Sequence, residues 1–190
     1  MKIRKYSFDE FVERAKSFHG YAAPGVILGG VMVELAYQNL PAAGLFDAIC
    51  ETRRCLPDSV QLLTPCTVGN GWLKIIDSGR FALTIYDKQT GEGIRVFVDS
   101  TRIQPWEHIK DWFFKLKSKS ETDNSHILKQ IGEAGVSLFG TQKVKVNLES
   151  MKKESRKFGI CPGCGEAYPL SHGNTCMVCQ GKSSYFTISA

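Results

Sequence analysis

Four cysteines near the C-terminus, in "CPGCGEAYPLSHGNTCMVC" (Cys161 to Cys179), constrain this chain more than any other feature. They form two Cys-x-x-Cys pairs separated by eleven residues. Within each pair a tight turn brings two sulfurs within reach of one ion, and Gly163 and Gly165 relieve the backbone there. Four thiolates at tetrahedral corners suit Zn²⁺, which has no redox chemistry and accepts a closed shell. Disulfide exchange needs a single pair at a helix start in a βαβ setting, and iron–sulfur clusters usually take other spacings. The spacing therefore predicts structural zinc on Cys161, Cys164, Cys176 and Cys179, in a treble-clef or zinc-ribbon-like finger. His172, between the pairs, is expected at the surface because the four sulfurs complete the shell. A module of roughly 30 residues has too little apolar content to fold alone, so the ion must supply most of its folding free energy. Tyr168, Leu170, Tyr185, Phe186 and Ile188 are its expected minimal core.

The chain has 190 residues, enough for a body with a substantial core plus this appendage. The expected division is an α+β core domain over 1–150 and the zinc finger over 151–190. Hydrophobic residues make up 43% and charged residues 23%, an ordinary globular balance without low-complexity tracts. The net charge of +5 is mild. Its basic residues gather in 115–120 and 143–157, which read as solvated linker faces, so nucleic acid is not an expected partner. The most apolar run, 24–35, is too short to span a bilayer and is interrupted by Glu34, and no signal-type segment follows the basic start. Membrane association is therefore not expected. Seven cysteines without such a signal point to the cytoplasm and to metal ligands or buried thiols.

Along the chain, Ser7 and Glu10 stand at capping-box spacing before an apolar stripe of Phe8, Phe11, Val12, Ala15 and Phe18, which predicts a helix ending near Gly20. A second helix should start at Pro24 and run to about Asn39. It is apolar nearly all round, hence central, and Gly29 and Gly30 would let another element approach closely. A buried strand over 45–52 and a short helix over 56–64 follow. From Gly71 the period changes to two, and "WLKIID", "RFALTIYD" and "IRVFVDS" read as an antiparallel meander. "PWEHIKDWFFKLKS" returns to helical spacing with Trp106, Ile109, Trp112, Phe113 and Leu116 buried, and another helix is expected over 125–139. Helices flanking an antiparallel sheet, with a small terminal module, define an α+β fold.

His19 stands just ahead of a helix start, in "HGYAAPG". Cys50, Cys55 and Cys66 follow, in "CLPDSVQ" and "PCTVGNGWL", with a Thr-x-Gly-x-Gly turn after the last. This order resembles the family of proteins like the E-type subunit of formylmethanofuran dehydrogenase. Its members show His-Gly-His-x-Cys-Pro-Gly, then Cys-x-x-Asp-Ala-Ile-Gln, then Gly-Cys-Thr-x-Gly-Lys-Gly-Asn-Leu, and often a terminal zinc finger. The resemblance covers roughly residues 15–100 and the finger. It implies a core metal site carried by His19, Cys55 and Cys66. The chain departs from the pattern at Tyr21, where the family has a second histidine, and at Ala23, where it has a cysteine, which weakens any core metal. The alternative is that Cys55 and Cys66 are buried thiols and His19 a hydrogen-bonded helix-end residue. Cys50 is expected to pack in the interior, and "CTVGNG" to be a plain turn in preference to a phosphate cradle.

The resemblance links the chain to a family associated with methanogenesis, and implies an accessory or stand-alone relative of the dehydrogenase. No Ser-His-Asp order, P-loop or paired carboxylates mark catalytic residues. The expected function is that of a zinc-binding protein whose finger contacts other proteins and whose core pairs into a homodimer, the dimer being in part implied by the family. A metal-dependent enzyme or metal-handling protein using the reduced His/Cys site is the second reading, and nucleic-acid binding through the finger the third.

Overall fold

The computed structural model describes residues 1–41, 43–118, 120–151 and 157–182. The chain forms two compact units, Met1–Leu148 and Glu149–Ala190.

In the first unit, β1 (Lys2–Ile3) and β2 (Tyr6–Ser7) make a small hairpin that leads into α1 (Phe8–His19). The capping box is formed. The Ser7 hydroxyl accepts the Glu10 amide at 3.2 Å, and the Glu10 carboxylate accepts the Ser7 amide at 2.7 Å. Gly20, in the left-handed region at φ +94°, closes the helix. Helix α2 (Pro24–Gln38) follows, with eleven of its fifteen residues buried. Its glycines set the packing distances. A β-carbon on Gly25 would stand 2.8 Å from Cys55 Cβ, one on Gly29 would collide with the Ser59 hydroxyl, and one on Gly30 would enter the Phe11 ring. Three neighbours thus reach the α2 backbone, and Ser59 Oγ donates to Val26 O at 2.8 Å from within the core.

The sheet contains β3 (Phe46–Cys50), β4 (Leu73–Ile75), β5 (Ala82–Asp87), β6 (Glu92–Val98) and β7 (Phe139–Lys145), in the order β4-β3-β5-β6-β7. Between β3 and β4 lies α3 (Leu56–Leu63), and between β6 and β7 lie α4 (Glu107–Phe113) and α5 (Asn124–Ala134). The expected meander of β4, β5 and β6 is corrected here. β4 runs parallel to β3 at the sheet edge, whereas β3, β5, β6 and β7 are successively antiparallel. A parallel pair needs a crossover, and α3 supplies it. The core is built from α2, the helix-facing residues Ala48, Leu83, Ile85, Ile94 and Val96 of the sheet, and Ile127 and Ile131 of α5.

Helix α4 stops at Phe113, and Lys115 turns into the left-handed region at φ +54°. Leu116 is therefore 63% exposed and not part of the buried stripe, while Ile109 is fully buried and Trp106, Trp112 and Phe113 pack on the core. Beyond the end of β3, the nearly buried Glu51 carboxylate accepts from Arg95 Nε at 2.6 Å and Nη2 at 3.0 Å and pairs with Arg80 Nε at 2.7 Å. Arg95 also donates to Gln142 at 2.9 Å, tying β6 to β7 through one charged cluster.

In the second unit, β8 (Phe158–Ile160) pairs antiparallel with β9 (Ala167–Pro169), and a 3-10 turn, Leu170–His172, follows. Tyr168 is buried and donates its hydroxyl to Gly173 O at 2.8 Å, whereas Leu170 is exposed. Tyr185, Phe186 and Ile188 lie outside the described residues. Among the described residues, no helix is long and apolar enough to cross a membrane.

Candidate metal centre and the core cysteines

The four sulfurs come together because each pair sits on its own turn. In the first, Gly165 N donates to Cys161 O at 2.8 Å with Gly165 at φ +79°, and Cys161 N donates to Glu166 O at 2.8 Å. In the second, Gln180 N donates to Cys176 O at 3.1 Å and Lys182 N to Met177 O at 2.9 Å. Gly163 leaves room for the opposite pair, since a β-carbon there would stand 3.1 Å from Cys179 Sγ. The thiol sulfurs of Cys161, Cys164, Cys176 and Cys179 all lie within 4.8 Å of one another, and Cys164 Sγ is 3.8 Å from Cys176 Sγ. A zinc tetrahedron with bonds of about 2.3 Å has edges of about 3.8 Å, so the donor set and its spacing fit that ion.

Backbone amides complete the shell around the sulfurs. Cys176 N donates to Cys161 Sγ at 3.3 Å and Cys179 N to Cys176 Sγ at 3.4 Å. The Cys176 amide is the main reason that the Cys161 thiol is pulled down to about 6, while the neighbouring thiol of Cys176 is the main reason that Cys179 is pushed up to about 12. Four adjacent thiolates repel one another, so one ionises readily and another resists. A divalent cation at their centre removes that conflict. His172 is outside the sulfur cluster, and its carbonyl accepts from Gln180 Nε2 at 2.8 Å.

In the core, His19, Cys55 and Cys66 are not gathered into one shell. Among the described residues, the finger cysteines are the sole group of three or more His, Cys, Asp or Glu side chains close enough to share an ion. Cys55 caps the start of α3 and Cys66 lies beyond its end, and eight helical residues span about 12 Å. His19 Nδ1 bonds Asp58 Oδ2 at 2.6 Å, on the first turn of α3, and its ring lies 5.2 Å from that of Tyr21. Cys55 adopts φ +56°, and burial raises its thiol, helped by the Asp58 carboxylate. Cys66 Sγ donates to Phe46 O at 3.4 Å, and burial raises it as well. Cys50 is fully buried, with its thiol pushed up to about 12 by that burial.

The amides of the "CTVGNG" turn are taken up within the protein, Cys66 N by Thr64 Oγ1 and Val68 N by Gln61 Oε1 among them. Thr67 N and Trp72 N donate to Asn70 Oδ1 at 3.1 and 2.9 Å, Asn70 N donates to Thr67 Oγ1 at 3.1 Å, and Gly71 N donates to Val68 O at 3.1 Å. Asp58, the partner of His19, was not singled out in the sequence, although it stands at the aspartate of the Cys-x-x-Asp segment, the signal that could have found it.

The model of the family described as "FmdE, Molybdenum formylmethanofuran dehydrogenase operon" matches residues 18–146. The chain belongs to the FmdE family. The FmdE treble clef zinc finger matches residues 152–186, which resolves the finger's type in favour of the treble clef. The crystal structure of a tungsten formylmethanofuran dehydrogenase FmdE-like protein from Syntrophus aciditrophicus is 50% identical, with a TM-score of 0.89 over 97% of this chain and 98% of that one. A protein of Archaeoglobus fulgidus described as a "Probable S-adenosyl-L-methionine-binding protein" is 28% identical over 196 residues. That match takes in 92% of this FmdE-like chain, which spans about half the length of that relative.

Proposed function

We propose that this FmdE-like protein is a zinc protein without catalysis of its own, in which Zn²⁺ on Cys161, Cys164, Cys176 and Cys179 orders a finger that contacts another protein. The observation that carries the reading is the set of four sulfurs at tetrahedral spacing. Zinc bound there supplies a closed, redox-inert crosslink, and the amides of Cys176 and Cys179 hold the sulfurs toward it. The contact role is supported by apolar exposure on so small a module, with Phe158 at 63% and Ile160 at 78%, both on β8. We further place the protein in the cytoplasm as a homodimer. A reducing compartment suits its seven unpaired cysteines.

Metal analysis of protein purified without added metal should return about one zinc per chain, falling toward zero in Cys176→Ser. Retention of zinc by that variant would sink the reading.

A further inference from the structure

We propose that the cavity between the start of α2, the turn before α3, Phe81 and the end of α4 binds a small planar organic anion, an aromatic carboxylate in class. The cavity measures about 440 Å³, a size suited to a ligand of one or two rings. Tyr21, Phe81, Trp112 and Phe113 line it. The Phe81 and Phe113 rings meet edge to face at 6.1 Å, as do Trp112 and Phe113. Such walls accept the face or edge of another ring.

Its charged lining residues are Arg54 and Lys115, with no carboxylate among the residues that line it. Neither cation forms an ion pair among the described residues, although most cationic side chains near the sheet do, Arg95 and Lys88 among them. Two unpaired cations over an aromatic, largely apolar cavity complement one delocalised negative charge, and a guanidinium matches a carboxylate edge to edge. A doubly charged phosphate would lose more hydration than this lining returns. Of the three non-glycine residues with positive φ among the described residues, Cys55 and Lys115 both border this cavity. Such strain persists where the surroundings fix it, and ligand sites are where it concentrates. A second cavity of about 350 Å³ shares Tyr21, Pro24, Trp112 and Lys115, so Lys115 stands where the two meet. Tyr21 and Ala23, where the chain departs from its family's motif, are both in the lining.

The test is calorimetric titration of the full, metal-loaded chain with naphthoate and with uncharged naphthamide. Naphthoate should bind saturably at one site, and the amide at least about tenfold more weakly, since charge-assisted bonds are lost. Arg54→Gln combined with Lys115→Asn, the latter tolerant of positive φ, should weaken naphthoate about tenfold. Bound naphthoate should also shield Cys55 from a maleimide, read by peptide mass. No saturable heat, equal affinity for acid and amide, indifference to the double substitution, or an unshielded Cys55 would each overturn the proposal. Should the double variant melt early, the acid–amide comparison and the shielding of Cys55 in the unsubstituted chain decide. None of these readouts depends on an ion at the four terminal cysteines.

Discussion

Gly29 has no room to grow, because a methyl group there would collide with the Ser59 hydroxyl that bonds back to Val26 O. Gly29→Ala should therefore destabilise the first unit by about 1–3 kcal/mol, the usual effect of overpacking, despite alanine's better helix propensity. Urea unfolding monitored by circular dichroism measures it, and a gain in stability would show that α2 and α3 can separate without loss. Glu51 gives a pH signature. Its hydrogen bonds from Arg95 hold its carboxyl below the ordinary carboxylate value in the folded chain. A carboxylate with a depressed folded value adds stability that is fully present above the unfolded pKa of about 4.3 and is lost as pH falls through the folded value. Glu51→Gln should thus be less stable than the parent at neutral pH and lose less between about pH 5 and pH 3. Parallel acid profiles for the two would refute a role for this cluster.

At the scale of elements, the start of α1 was fully legible, since Ser7 and Glu10 name the cap and the structure forms both of its bonds. Ser7→Ala should cost about 1 kcal/mol, read as a lowered melting temperature of the first unit. α2 was legible for a different reason, its almost unbroken apolar sequence. β3, β4, β5 and β6 were legible as strands but not in their pairing. β4 has only three residues, too few to display a period, and its parallel partner β3 is reached only through α3. β7 was missed because Lys143 and Lys145 alternate with Val144 and Val146 in what reads as a basic run. The structure makes this the outer strand, where lysines keep other strands from adding to an open edge. In the finger, local spacing was enough, since both turns are short-range. The separation of Cys55 from Cys66 was legible too, since the helix expected over 56–64 lies between them, although motif order alone sets the two cysteines side by side.

For the whole molecule, two compact units imply two responses to metal removal. Chelation should abolish the ordered finger while the first unit keeps its cooperative melt, checked by calorimetry with and without a strong chelator. One shared transition, shifted as a whole by the chelator, would contradict this. Inside the first unit, α2 touches α1, α3, α5 and the sheet, and its stretch from Pro24 to Val33 is buried throughout. A helix enclosed in this way has no partial opening open to it. The amide hydrogens of its buried middle, Leu28 to Val33, should exchange with deuterium only as fast as the entire unit unfolds, which makes this segment an internal clock for global unfolding of the domain.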